Sequence, residues 1–154
     1  MSEHYETSGY VTIPEGTLYY KIYGRKEEKK VPVLLLHGNR GSHKDFSSYI
    51  KALKEAGGLV IAMDSRGHGR SRLSVHTALR GFSTEDMADD VIALLNHLHL
   101  SSVHLLGFSD GANIGLEIAC KYPERPQPLI CIIPHAYPDG LLTPTPLTAT
   151  MLPT

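Results

Sequence analysis

Apolar residues along this chain come in short unbroken runs. Val33-Leu34-Leu35-Leu36, Leu59-Val60-Ile61-Ala62-Met63 and Leu129-Ile130-Cys131-Ile132-Ile133 are uninterrupted, and Val103 to Leu106 is broken only by His104. Runs this short, without polar alternation, predict strands buried on both faces of a parallel sheet. Between them apolar residues recur at helical spacing: Phe46, Tyr49, Ile50 and Leu53; Met87, Val91, Ile92, Leu94, Leu95 and Leu98; Ala112, Ile114, Leu116, Ile118 and Ala119. Gly57-Gly58 stops the first of these helices. Ser83-Thr84-Glu85-Asp86 has the form of a capping box opening the second. Tyr122-Pro123 ends the third, because the residue before proline avoids the helical region.

The N-terminal part reads differently. Tyr10 to Ile13 and Leu18 to Tyr23 are rich in strand formers and are joined by Pro14-Glu15-Gly16, which predicts an antiparallel hairpin. The expected fold class is therefore α/β: a mostly parallel sheet with an N-terminal antiparallel hairpin and helices on both faces. Right-handed crossovers place the loops that follow parallel strands on one edge of the sheet. His37, Asn39, Asp64, His68 and Ser109 should then meet in one crevice. Arg25 to Lys30 is mixed in sign and predicts a solvated loop. Arg70 to Gly81 is polar and without period.

Composition sets limits on function. The chain has 154 residues, 42% apolar and 20% charged, enough for one domain with a core. A net charge of −1 gives no footprint for nucleic acid or an anionic membrane surface. No apolar run spans a bilayer, and Met1 to Glu6 lacks the apolar core of a secretory signal. A cytoplasmic location is expected. Cys120 and Cys131 read as buried free thiols, and no zinc spacing or cofactor motif is present. The predicted division is a flexible stretch at 1–7, one domain at 8–140 and a Pro/Thr-rich disordered tail at 141–154. Eight of the ten prolines lie from Pro123 onward, and Asp139 is the only acid beyond Glu124. Past Cys131 an open sheet edge is expected, a surface for self-association.

The chemistry centres on Gly107-Phe108-Ser109-Asp110-Gly111. Gly-x-Ser-x-Gly also occurs in ordinary turns, but here it follows an apolar strand and opens a helix. That context lifts the Ser109 hydroxyl at the strand end and points the Asp110 N–H where an oxyanion would form. Two further loops support it: His37-Gly38-Asn39 after an earlier strand, and Asp64-Ser65-Arg66-Gly67-His68-Gly69-Arg70-Ser71 after the next. Together the three motifs, in this order, resemble the α/β-hydrolase superfamily, and Gly-Phe-Ser-Asp-Gly resembles its small serine esterases and acyl hydrolases.

The resemblance covers roughly residues 8 to 125 and implies a truncated α/β-hydrolase fold. It implies Ser109 as nucleophile, the N–H groups of Asn39 and Asp110 as oxyanion donors, and His37, Gly38, Gly107, Gly111 and His68 as the frame of the pocket. The substrate would be a small ester or acyl compound, with no cofactor and no metal. In that superfamily the chain order is serine, then acid, then histidine. After Ser109 this chain offers His135, the candidate base, and only then Asp139. Two readings stay open: an active serine hydrolase, or a catalytically incomplete hydrolase-fold protein that is an interaction module or an inactive fragment. The change of composition also admits a natural truncation or a frame change near Arg125.

Overall fold

The computed structural model describes residues 5–25, 30–133 and 148–152. They form one eight-stranded sheet with the order β1-β2-β4-β3-β6-β7-β8, to which β5 adds by pairing with β2. The strands are β1 (Glu6–Ile13), β2 (Gly16–Gly24), β3 (Val33–Leu36), β4 (Leu59–Met63), β5 (Arg72–Leu73), β6 (Val103–Phe108), β7 (Pro126–Ile133) and β8 (Thr148–Leu152). β1 and β2 form the antiparallel hairpin, and β2 lies antiparallel to β4. The centre, β4-β3-β6-β7, is parallel.

The apolar runs divide their side chains between two layers, as a period of two requires. Leu34, Leu36, Ile61, Met63, Val103 and Leu105 face α3 (Thr84–His97) and α4 (Asp110–Lys121). Leu35, Val60, Ala62 and Leu106 face Phe46 and Ile50, carried by a 3-10 helix (His43–Phe46) and α1 (Ser47–Glu55). Leu34, Leu35, Leu36 and Ile61 are fully buried, and each contributes roughly 2 kcal/mol by leaving water. The Ser83 hydroxyl accepts from the Asp86 N–H, and the Asp86 carboxylate accepts from the Ser83 N–H, so α3 opens on the expected capping box.

Five readings of the sequence change. The tail is not featureless, because Thr148–Leu152 forms β8, antiparallel to β7. β7 is therefore an inner strand, and the open edge expected after Cys131 is occupied. β1 starts at Glu6, inside the stretch expected to be flexible, and Ser8 pairs with Lys21; residues 1–4 lie outside the described residues. The polar segment after Arg70 holds β5 and a short α2 (Val75–Arg80), capped by the Ser74 hydroxyl on the Thr77 N–H. Cys120 is exposed, not buried.

Candidate active site

β6 ends at Phe108, and the chain turns into α4 within one residue. That residue is Ser109, at φ 54 and ψ −115. A side chain in this region costs of order 1–3 kcal/mol and is kept only where its surroundings fix it. Two glycines do so here. A Cβ on Gly107 would collide with the backbone of Gly111, and a Cβ on Gly111 would collide with the carbonyl oxygens of Leu36 and His37. The start of α4 therefore sits directly on the end of β3. Among the described residues the Ser109 hydroxyl has no hydrogen-bond partner.

The loop after β3 closes on this turn. Gly38 is buried, and a Cβ built on it would stand 3.2 Å from Ser109 Cβ. Asn39 follows, exposed, and Arg40 has φ 62. Among the described residues neither the Asn39 nor the Asp110 amide N–H donates to a protein acceptor. His37 is held at both ring nitrogens: Nδ1 donates to the Gly38 carbonyl at 2.7 Å, and Nε2 accepts from the Ser65 N–H at 2.9 Å. This fixes one neutral tautomer. Burial pushes the His37 pKa below its ordinary 6.5, against the pull of the Gly38 carbonyl. A ring so engaged has no free lone pair to take a serine proton.

The loop after β4 is anchored by Asp64, which is fully buried. Oδ1 accepts from the His43 N–H at 2.7 Å and from His43 Nδ1 at 2.8 Å. Oδ2 accepts from the Arg70 N–H at 2.9 Å and leaves no room for a Cβ on Gly69. Burial alone would raise the Asp64 pKa, but these donors outweigh it and hold the carboxyl below its ordinary 3.8. In the same loop Arg66 grips Asp90 of α3 with two bonds of 2.7 Å. The Arg66 carbonyl accepts from His68 Nδ1 at 2.9 Å, and the His68 ring lies 5.2 Å from that of His37. His68 Nε2 is 3.4 Å from Asn39 Oδ1, linking the two loops.

Together these loops enclose a crevice of about 170 Å³, lined by His37, Gly38, Asn39, His68 and Asp110. Of the residues expected in the pocket, His37, Gly38, Asn39, His68 and Asp110 line this crevice, whereas Asp64, Gly107, Ser109 and Gly111 do not; Ser109 stands beside it, next to Asp110 and against Gly38. His135 lies outside the described residues. Sequence reasoning missed Phe82 and Ser65, which also line the crevice; Met87, read as core, does pack against the core and lines the crevice as well. It also missed His43, whose partner is 21 residues away. The signal for Phe82 and Met87 was their place just before and inside the capped start of α3. Among the described residues no group of three or more His, Cys, Asp or Glu could hold a metal ion.

The family model described as the alpha/beta hydrolase fold matches residues 31–152. The chain belongs to the α/β-hydrolase family. The match runs past Arg125 into the proline-rich end. The chain is similar to proline iminopeptidase of Clostridioides difficile, 34% identical over 119 residues, covering 77% of this chain and 40% of the relative. It is also similar to the serine hydrolase BPHL of Mus musculus, 34% identical over 132 residues, covering 85% and 44%. Among solved structures it resembles the N-acyl homoserine lactonase AidH, with TM-score 0.71 and 26% identity, covering 86% of this chain and 47% of that one. The α/β-hydrolase chain therefore spans less than half the length of these relatives. No described helix is long and apolar enough to cross a membrane.

Proposed function

We propose that this chain carries the nucleophile and oxyanion machinery of a serine hydrolase acting on carboxylic esters or related acyl compounds. The observation that carries the reading is the unpartnered Ser109 hydroxyl on a strained turn, with Gly38 packed against it. The serine oxygen adds to the acyl carbon and its proton passes to a base. The carbonyl oxygen becomes an oxyanion, met by the N–H groups of Asn39 and Asp110. Collapse expels the alcohol, which takes up a proton, and leaves an acyl group on Ser109; water then releases the acid. Losing one oxyanion donor typically costs about 3 kcal/mol of barrier. Relatives named as an iminopeptidase, a serine hydrolase and a lactonase act on different bonds, so ester rather than amide chemistry rests on the likeness of the elbow to small esterases.

A second reading is favoured by one observation. Both His37 ring nitrogens are taken, and His68, whose Nδ1 donates to a carbonyl and whose Nε2 keeps the lone pair, makes no hydrogen bond to the Ser109 hydroxyl, so among the described residues no base is in contact with the serine. On this reading the chain is a catalytically incomplete hydrolase-fold protein. One experiment tests both. The protein is treated with a fluorophosphonate and separately assayed with p-nitrophenyl acetate, alongside Ser109→Ala. Labelling and turnover that both vanish in the variant support the enzyme. Labelling without turnover supports the incomplete machine. Labelling that persists in the variant removes Ser109 as nucleophile.

A further inference from the structure

On the α1 side of the sheet, outside the crevice, lies a larger cleft of about 570 Å³. That is within the range of small-molecule sites, roughly 300–1,000 Å³. One wall is a stripe at helical spacing, Lys44, Ser47, Lys51 and Lys54, along the 3-10 helix and α1. The other wall is the β1–β2 hairpin, with Glu6, Lys21 and Tyr23. The floor is apolar: Tyr23 and Ile50 are 9% and 7% exposed.

The charges in the cleft are unequally used. Glu6 is shared by Lys21 and Lys54, each 3.4 Å away. The same two ammonium groups lie 5.1 and 5.8 Å from the Tyr23 ring centroid, which bars a cation from that ring. Lys44 and Lys51 have no acidic partner among the described residues, and Glu55, which also lines the cleft, makes no ion pair with either. They flank Ser47, three residues before it and four after, so both long side chains and the hydroxyl can converge on one anion. Lysine is a compact point charge that suits phosphate.

We propose that this cleft binds a small organic phosphate, with the phosphate on Lys44, Ser47 and Lys51 and the apolar body beside Ile50, along the methylene stems of Lys51 and Lys54. The probe is phenyl phosphate, titrated into 15N-labelled protein and followed by amide NMR, with inorganic phosphate and phenol as its two halves. The expected result is saturable binding of phenyl phosphate, with shifts at Ser47, Ile50 and Lys51. Each half binds more weakly, and added salt weakens the complex. The double substitution Lys44→Gln/Lys51→Gln, at exposed positions, lowers the affinity at least tenfold and leaves the spectrum folded. Ser109→Ala binds unchanged, which separates this site from the crevice. Shifts centred on Gly38, Asn39 and Asp110, indifference to the double substitution, or no binding at about 10 mM overturn the proposal. Binding to phosphatidic acid vesicles without binding of phenyl phosphate overturns it in favour of a lipid surface.

Discussion

Two loops at one edge of the sheet are built on opposite terms. Between Asp64 and Ser71 the polar groups pair inward: the carboxylate of Asp64 accepts three bonds, Ser71 Oγ donates to the Asp64 carbonyl at 2.6 Å, and Arg66 holds Asp90. Between Gly107 and Gly111 the Ser109 hydroxyl and the Asp110 amide are left over, and the backbone is strained. The first loop resembles a core made of hydrogen bonds. The second has unsatisfied groups facing a crevice. Buried groups gain stability when paired, whereas a reacting group must be free to change partners. The saturated loop is the brace that lets the unsaturated one remain open.

That contrast can be broken from either side. The largest effect should come from Asp64→Ala. It strands three donors at a fully buried point, so a loss of about 3 kcal/mol or more is expected in urea unfolding, with the crevice lost as well. Next comes Gly111→Ala, whose methyl would meet two carbonyl oxygens of β3 and its exit loop. A loss of about 2 kcal/mol is expected, together with slower fluorophosphonate labelling. If the melting temperature stays put, the close contact between α4 and β3 is not a constraint. Gly38→Ala should be milder for folding, below about 1 kcal/mol, since its closest contact would be 3.2 Å. Yet that contact is Ser109 Cβ, so labelling should slow about tenfold, equivalent to about 1.4 kcal/mol.

The smallest effect is on pH. The folded His37 pKa lies below its ordinary 6.5, so the unfolded chain takes up the proton first as pH falls. The His37 contribution is complete above about pH 6.5 and fades below it, as pH falls towards the lowered folded value. Asp64, held below its ordinary 3.8, adds a second decline further into acid. Urea midpoints measured between neutral and acidic pH should fall in that order, and His37→Gln should shrink the first step, the remainder coming from His104, whose pKa burial also lowers. Identical profiles for the wild type and His37→Gln between pH 7 and 5 would show that His37 is not held neutral.

The parallel centre of the sheet was legible because its strands are unbroken apolar runs that can only be buried. The site was legible wherever a motif has a local cause, such as the glycines around Ser109 or the apolar strand ahead of His37. What escaped depends on distant partners. α2 was invisible because its apolar residues face the wrong way: Val75 and Leu79 are 76% and 84% exposed, so no core-facing period exists. β8 lies in a threonine-rich segment and is a strand by virtue of its pairing with β7. Cys120 read as buried from residue type alone, but α4 turns that position to solvent. The link between His43 and Asp64 joins two loops with no shared sequence signal.

The kink at Ser109 ties two roles to a single dihedral. Its hydroxyl and the neighbouring Asp110 amide are set by the same positive φ, so they move as a unit. Replacing the serine by glycine would therefore be a different experiment from replacing it by alanine. Glycine relaxes freely out of this conformation and would let the amide swing away with the vanished side chain, whereas alanine keeps the spring wound and deletes only the oxygen.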